Sequence, residues 1–144
     1  MAIKDISFFT EDIVFTLAQK QKIREWINKT VIEEGFKRVS ELNFIFCSDD
    51  YLLDINKQYL QHDTYTDIVT FDSSENEDVI AGDIFISVDR VRDNAQKFKV
   101  SEKDELHRVI IHGVLHLCGY RDKKKEDKEM MTAKENTYLA KRGF

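Results

Sequence analysis

The segment Ile110 to Asp122, I-I-H-G-V-L-H-L-C-G-Y-R-D, restricts the folds open to this chain more than any other stretch. His112 and His116 stand at i and i+4 in an otherwise apolar run, so a helix places both on one face with Cβ atoms about 5–6 Å apart. At that spacing two imidazole nitrogens can reach one cation at about 2.0–2.1 Å each. Gly119 can take the left-handed conformation that halts a helix, and a chain that doubles back there carries Asp122 towards the same point. The fold must therefore set one helix centrally, stop it at a glycine and gather His112, His116 and Asp122. A lone histidine on an apolar face is most simply a core residue bonded to a neighbour, but the pair, the glycine and the carboxylate together point to a metal ion. Asp122 has a plainer use as well, as the cap of a helix beginning near Lys123, with water then completing the coordination.

The spacing H-x3-H-x5-D parallels the helix-and-glycine arrangement of metzincin proteases. Those enzymes place a glutamate directly after the first histidine to take a proton from water, and here that position is Gly113. Ordinary zinc-protease chemistry is therefore not expected, and a zinc hydrolase or peptidase on the same His-His-Asp set is the rival enzymatic reading. Three protein ligands leave a coordination position open, as catalytic zinc sites do and closed structural sites do not. The expected cofactor is one Zn2+ ion, with another divalent metal made possible by the carboxylate.

Around this helix the patterning alternates between strand and helix. Ile3, Ile6, Phe8 and Phe9 suggest a first strand, and Gln19 to Glu34 carries Ile23, Trp26, Ile27 and Val31 at helical spacing before Gly35. Leu42 to Cys47 reads as a strand feeding a helix over Tyr51 to Leu60, with Ser48 or Asp49 as its N-cap. Asp67 to Phe71 and Ile80 to Val88 read as neighbouring buried strands joined by the acidic loop Ser73 to Asp78. Val91, Ala95 and Phe98 follow at helical spacing, and Ser101 with Asp104 opens the helix Glu102 to Leu117. A last amphipathic segment, Lys123 to Lys141, offers Met130, Met131, Tyr138 and Leu139 as its packing face. The expected fold class is α+β, with about four strands in a mixed sheet, about five helices and one domain over residues 1–144, the size of a single core.

Charge and cysteine content bound the surroundings. With 27 acidic and 22 basic residues the formal charge is −5, which argues against coating nucleic acid through bulk charge, so any such contact must be local. No window approaches the roughly 18–20 apolar residues of a membrane span, and Met1 to Phe9 carries Lys4 and Asp5 where an export signal needs an apolar core. A cytoplasmic protein is expected, with Cys47 and Cys118 as reduced thiols.

The same residues resemble the YbeY family of bacterial metal-dependent endoribonucleases. Its signature H-G-x-L-H-L-x-G-Y-D-H is matched by His112, Gly113, Leu115, His116, Leu117, Gly119 and Tyr120. A second family stretch, L-N-x-x-Y-R-x-x-D-x-P-T-D-V-L-S-F, is similar to Ile55 to Phe71 through Asn56, Tyr59, Asp63, Thr66, Asp67 and Phe71, and Gly82, Asp83 and Ile84 match a G-D-I strand. The resemblance runs from about residue 42 to the final helix. It implies zinc held by the signature helix and cleavage of single-stranded RNA in 16S rRNA maturation and ribosome quality control, with the small ribosomal subunit as partner. A binding factor on that subunit, its metal only stapling helix to turn, is the competing non-enzymatic reading.

Two departures from the family pattern shape the candidate site. The family's third histidine falls on Asp122 with Arg121 before it, and the arginine that the family carries at position 60 is Leu60 here. Cations near these positions that can hold phosphate are Lys57, His62 and Arg121, with Arg121 preferred for its neighbourhood to Asp122. Lys123, Lys124 and Lys125, with Arg90, Arg92, Lys97 and Lys99, can form a basic rim for RNA, although a solvated helix end is the simpler reading of the lysines. Tyr65 and Tyr120 can stack on bases. By resemblance Thr66, Asp67 and Thr70 line the cleft, with Asp67 as a candidate catalytic carboxylate.

Overall fold

A computed structural model of the protein describes residues 5–144, so Ile3 lies outside the described residues. The chain runs β1 (Ile6–Glu11), α1 (Lys20–Glu33), β2 (Arg38–Cys47), α2 (Asp49–Leu60), β3 (Ile68–Asp72), β4 (Val79–Ser87), α3 (Val88–Phe98), α4 (Glu102–Leu117) and α5 (Lys125–Ala140). Among the described residues these four strands form one mixed sheet in the order β1-β2-β4-β3. β1 pairs parallel with β2 and β2 parallel with β4, whereas β3 returns antiparallel to β4. Parallel neighbours need crossovers, which α1 supplies between β1 and β2, and α2 with β3 between β2 and β4. The fold class is α+β.

Strand alternation decides what α4 packs against. Leu42, Phe44 and Phe46 of β2 and Ile84 and Ile86 of β4 point to one face, where they meet Ile110, Ile111, Val114 and Leu115 of α4 in a single core. α1 adds Ile23, Trp26, Ile27 and Val31, the stripe read from its helical spacing, and ends at Gly35 with φ 98°. Two serine caps also stand where the sequence placed them. Ser48 Oγ accepts from the Tyr51 N–H at 3.1 Å, and Ser101 Oγ accepts from the Asp104 N–H at 3.0 Å.

Several details differ from expectation. β2 begins four residues earlier than its apolar run, because polar Arg38 and Glu41 pair with β4 on either side of a register shift between Val39 and Glu41. Phe98 and Met130 are 59% and 53% exposed; the buried stripes are Val91 with Ala95 on α3 and Met131, Glu135 and Tyr138 on α5. Cys47 and Cys118 are free, and burial pushes both thiols up to about 12, so neither is a reactive thiolate at neutral pH. No helix among the described residues is long and apolar enough to cross a membrane.

Gly82 shows how tightly the sheet meets the metal helix. A Cβ here would fall inside the van der Waals envelope of the Phe71 carbonyl oxygen and lie 3.3 Å from both Leu117 methyls at the end of α4. Because backbone rather than a flexible side-chain tip blocks the space, Gly82→Ala must prise β3 from β4. A destabilisation of about 2 kcal/mol, read as a lower urea midpoint, is expected.

Candidate metal centre

α4 presents two histidines from one face, as an i, i+4 pair must. The helix stops at Gly119, whose φ of 108° lets its N–H reach the His116 carbonyl while the Tyr120 N–H reaches that of Leu115. The turned chain delivers Asp122. Its Oδ2 lies 3.3 Å from Nε2 of His112 and 3.3 Å from Nε2 of His116, and the three donor atoms fall within 4.8 Å of one another. Donors about 2.0–2.1 Å from one tetrahedral ion stand about 3.3–3.4 Å apart, so the two separations to Asp122 have the size that a shared cation sets. Borderline nitrogen with hard oxygen is a donor set that suits zinc and neighbouring divalent metals. The alternative role of Asp122 as a helix cap does not arise, since α5 starts at Lys125 with Lys124 in the cap position.

Each ring is fixed through its other nitrogen. Nδ1 of His116 bonds the Tyr120 carbonyl oxygen at 3.0 Å, a contact made by the glycine turn itself. Tyr120 is clamped in turn, its hydroxyl donating to Glu34 Oε1 at 2.6 Å, and Glu34 also accepts from Tyr138 and from Lys134. Nδ1 of His112 bonds Glu135 Oε2 on α5 at 2.6 Å, and the other Glu135 oxygen accepts from Arg108 at 2.8 Å. Burial opposes charging the His112 ring, yet the hydrogen bond and charge of Glu135, with Asp122 and Asp67 adding, carry its pKa above the ordinary histidine value. Neither Glu34 nor Glu135 was read from the sequence. The available signal was a carboxylate at 135 between Met131 and Tyr138 on a face that had to be buried.

Gly113 explains the missing protease glutamate. Its position faces the sheet, and a Cβ there would stand 2.8 Å from Ile68 Cδ1 and 3.0 Å from Ile84 Cγ2. A longer side chain at 113 would run into β3 and β4, so the helix cannot supply the protease base from that position.

The remaining candidate residues divide by what they already bind. Asp67 is half-buried; burial pushes its carboxyl above the ordinary range, and the charge of His112 only partly offsets this. Arg121 and Lys123 to Lys125 are exposed beside Asp122 and form no ion pair among the described residues. Lys57 pairs with Asp63 at 3.4 Å, and His62 is exposed on the segment after α2 with no side-chain bond to the cluster. Arg90 bonds Asp49 at 2.7 Å and lies over the Tyr65 ring, while Arg92, exposed, faces Glu102 at 3.9 Å. Tyr120 is engaged through Glu34, which holds its ring to the turn rather than leaving it free to meet a base. Thr66 bonds the Ile68 carbonyl at 3.3 Å.

A helix and glycine turn that bring two imidazoles and one carboxylate within 4.8 Å of one another, on a mixed-sheet scaffold, make a candidate centre of the kind metal-dependent hydrolases use. The family model described as Endoribonuclease YbeY matches residues 5–143. The chain is 54% identical over 144 residues to a Cytophaga hutchinsonii protein named Endoribonuclease YbeY, covering 100% of both. It is 52% identical to a Phocaeicola vulgatus protein of the same name, covering 94% of this chain and 96% of that one. The solution structure of TM1509 from Thermotoga maritima superposes with a TM-score of 0.66 at 29% identity, covering 93% of this chain and 86% of that one. The chain belongs to the endoribonuclease YbeY family.

Proposed function

We propose that this protein is a zinc-dependent endoribonuclease that cuts single-stranded RNA on the small ribosomal subunit, in 16S rRNA 3′-end maturation and ribosome quality control. It would work in the cytoplasm as one domain over residues 1–144. The observation that carries the reading is the convergence of His112, His116 and Asp122 within 4.8 Å on a chain of this family. Bound there, a divalent cation supplies a nucleophile at neutral pH and neutralises charge building on the phosphoryl oxygens, effects worth several kcal/mol.

The protein's own groups supply the rest. His112, His116 and Asp122 would hold the ion. Arg121, exposed next to Asp122, offers its guanidinium to a phosphate in the role that Leu60 cannot fill, and its fork geometry suits two phosphate oxygens. Lys123, Lys124 and Lys125 track the backbone beyond it, with Lys57 and His62 as more distant contacts. Asp67, near enough to His112 to feel its charge, serves as the carboxylate of the cleft. Peptide hydrolysis is disfavoured because Gly113 is pressed against the sheet.

Removing the metal with a chelator is expected to abolish cleavage of a single-stranded RNA, with zinc restoring it and casein left intact throughout. Arg121→Ala should slow the same reaction roughly tenfold, the worth of one charged hydrogen bond to phosphate. Ribosome association that persists with no cleavage under any metal would instead establish the stapled binding factor.

A further inference from the structure

We propose that Glu135 is the positioning residue of the metal centre: from α5 it fixes the proton of His112 on Nδ1 and so turns a bare Nε2 towards the cation. The inference rests on the metal reading above and concerns how the site is held ready. The two ligand rings differ in what orients them. His116 is oriented by a carbonyl four residues along its own chain, a contact that forms whenever the glycine turn forms. His112 has no such local partner; its Nδ1 meets a carboxylate 23 residues away on another helix.

A carboxylate oxygen in its charged form accepts and cannot donate. At 2.6 Å from Glu135 Oε2, Nδ1 must therefore carry a hydrogen, so that in the neutral ring, the form that can ligate a cation, the lone pair is on Nε2, 3.3 Å from the Asp122 oxygen. Glu135 is itself held in one rotamer: its residue is 6% exposed, and Arg108 donates to Oε1 at 2.8 Å while reaching Asn136 at 2.7 Å with its second nitrogen. A ligating imidazole whose second nitrogen bonds a carboxylate is a recurrent way of fixing ring and tautomer, and losing such a partner costs about 10–100-fold in metal affinity. Glutamine at 135 would keep the shape but could donate to Nδ1, which favours the tautomer with hydrogen on Nε2, aimed at the ion.

The test compares wild type with Glu135→Gln and Glu135→Ala in zinc affinity, by chelator competition, and in the tautomer of the His112 ring of the metal-free proteins, by long-range 1H–15N NMR. Both variants are expected to bind zinc about 10–100-fold more weakly, and both should lose the Nδ1-protonated signature of His112 that wild type shows. Unchanged affinity in a folded variant overturns the proposal. So does weakened affinity with the ring signature intact, since that is what a purely structural role for α5 produces. If neither variant folds, the wild-type spectrum decides alone, because a His112 ring that carries its proton on Nε2 in the metal-free protein contradicts the assignment. A wild type that takes up no zinc brings down the metal reading itself and any loading role with it, whereas a wild type that loads beside variants that load equally well removes only Glu135.

Discussion

Replacing His116 by alanine is expected to lower single-strand RNA cleavage by roughly 10^3-fold while leaving the fold intact. The rate follows from arithmetic: several kcal/mol of metal-derived stabilisation, at about 1.4 kcal/mol per factor of ten, corresponds to about three orders of magnitude. The choice of residue follows from the structure. Deleting the ring of His112 would leave Oε2 of the buried Glu135 without its partner, and stability would fall together with metal binding. His116 leaves nothing comparable behind. Its Nδ1 faces only the Tyr120 carbonyl, and the turn retains its own bonds from Gly119 and Tyr120. Zinc content, thermal melting and the cleavage rate should therefore separate, with the first and third lost and the second nearly unchanged. A variant that cleaves at the wild-type rate would sink the nuclease mechanism.

The features legible in the sequence are those governed by neighbours along the chain. Ser48 and Ser101 cap the helices they precede because a cap needs only an N–H three residues on. His112, His116, Gly119 and Asp122 span eleven residues, so helix periodicity and one left-handed turn suffice to gather them. The groups that hold this cluster steady come from far away and carry no local signature. Glu34 reaches Tyr120 from the end of α1, and Glu135 reaches His112 from α5. Their burial depends on the packing of α1, α4 and α5, which periodicity does not specify. The early start of β2 escaped for a similar reason: Arg38 and Glu41 are strand residues because β4 pairs with them, not because their side chains favour it. The exposure of Phe98 and Met130 belongs with these, since helical spacing names a stripe but does not say how wide the neighbouring surface is.

Acid should weaken this protein through a histidine remote from its chemistry. His107 on α4 is 3% exposed, packed between the rings of Trp26 at 5.7 Å and Phe144 at 5.4 Å. Arg142 Nη1 stands 2.7 Å from its Nδ1 and, being always a donor, requires that nitrogen to accept, so the ring is neutral in the folded protein. Burial first, then the charges of Arg142 and Lys103, push its pKa down to about 4 against an opposing Asp104. A base with a depressed folded pKa is protonated first in the unfolded chain. Its contribution is therefore fully present above the unfolded value of 6.5 and is lost as pH falls from there towards 4. A shift of that size corresponds to about 3 kcal/mol across the whole window, of which about 2.5 kcal/mol should be gone by pH 4.5. Urea unfolding of wild type and His107→Gln across this range isolates the effect from titrating carboxylates, which both proteins share. The glutamine side chain can still accept from Arg142 but takes up no proton, so its stability should decline less steeply, by about that difference. Parallel curves for the two proteins would mean that the ring takes up its proton at the same pH folded and unfolded, and the contact with Arg142 would then have to be drawn differently.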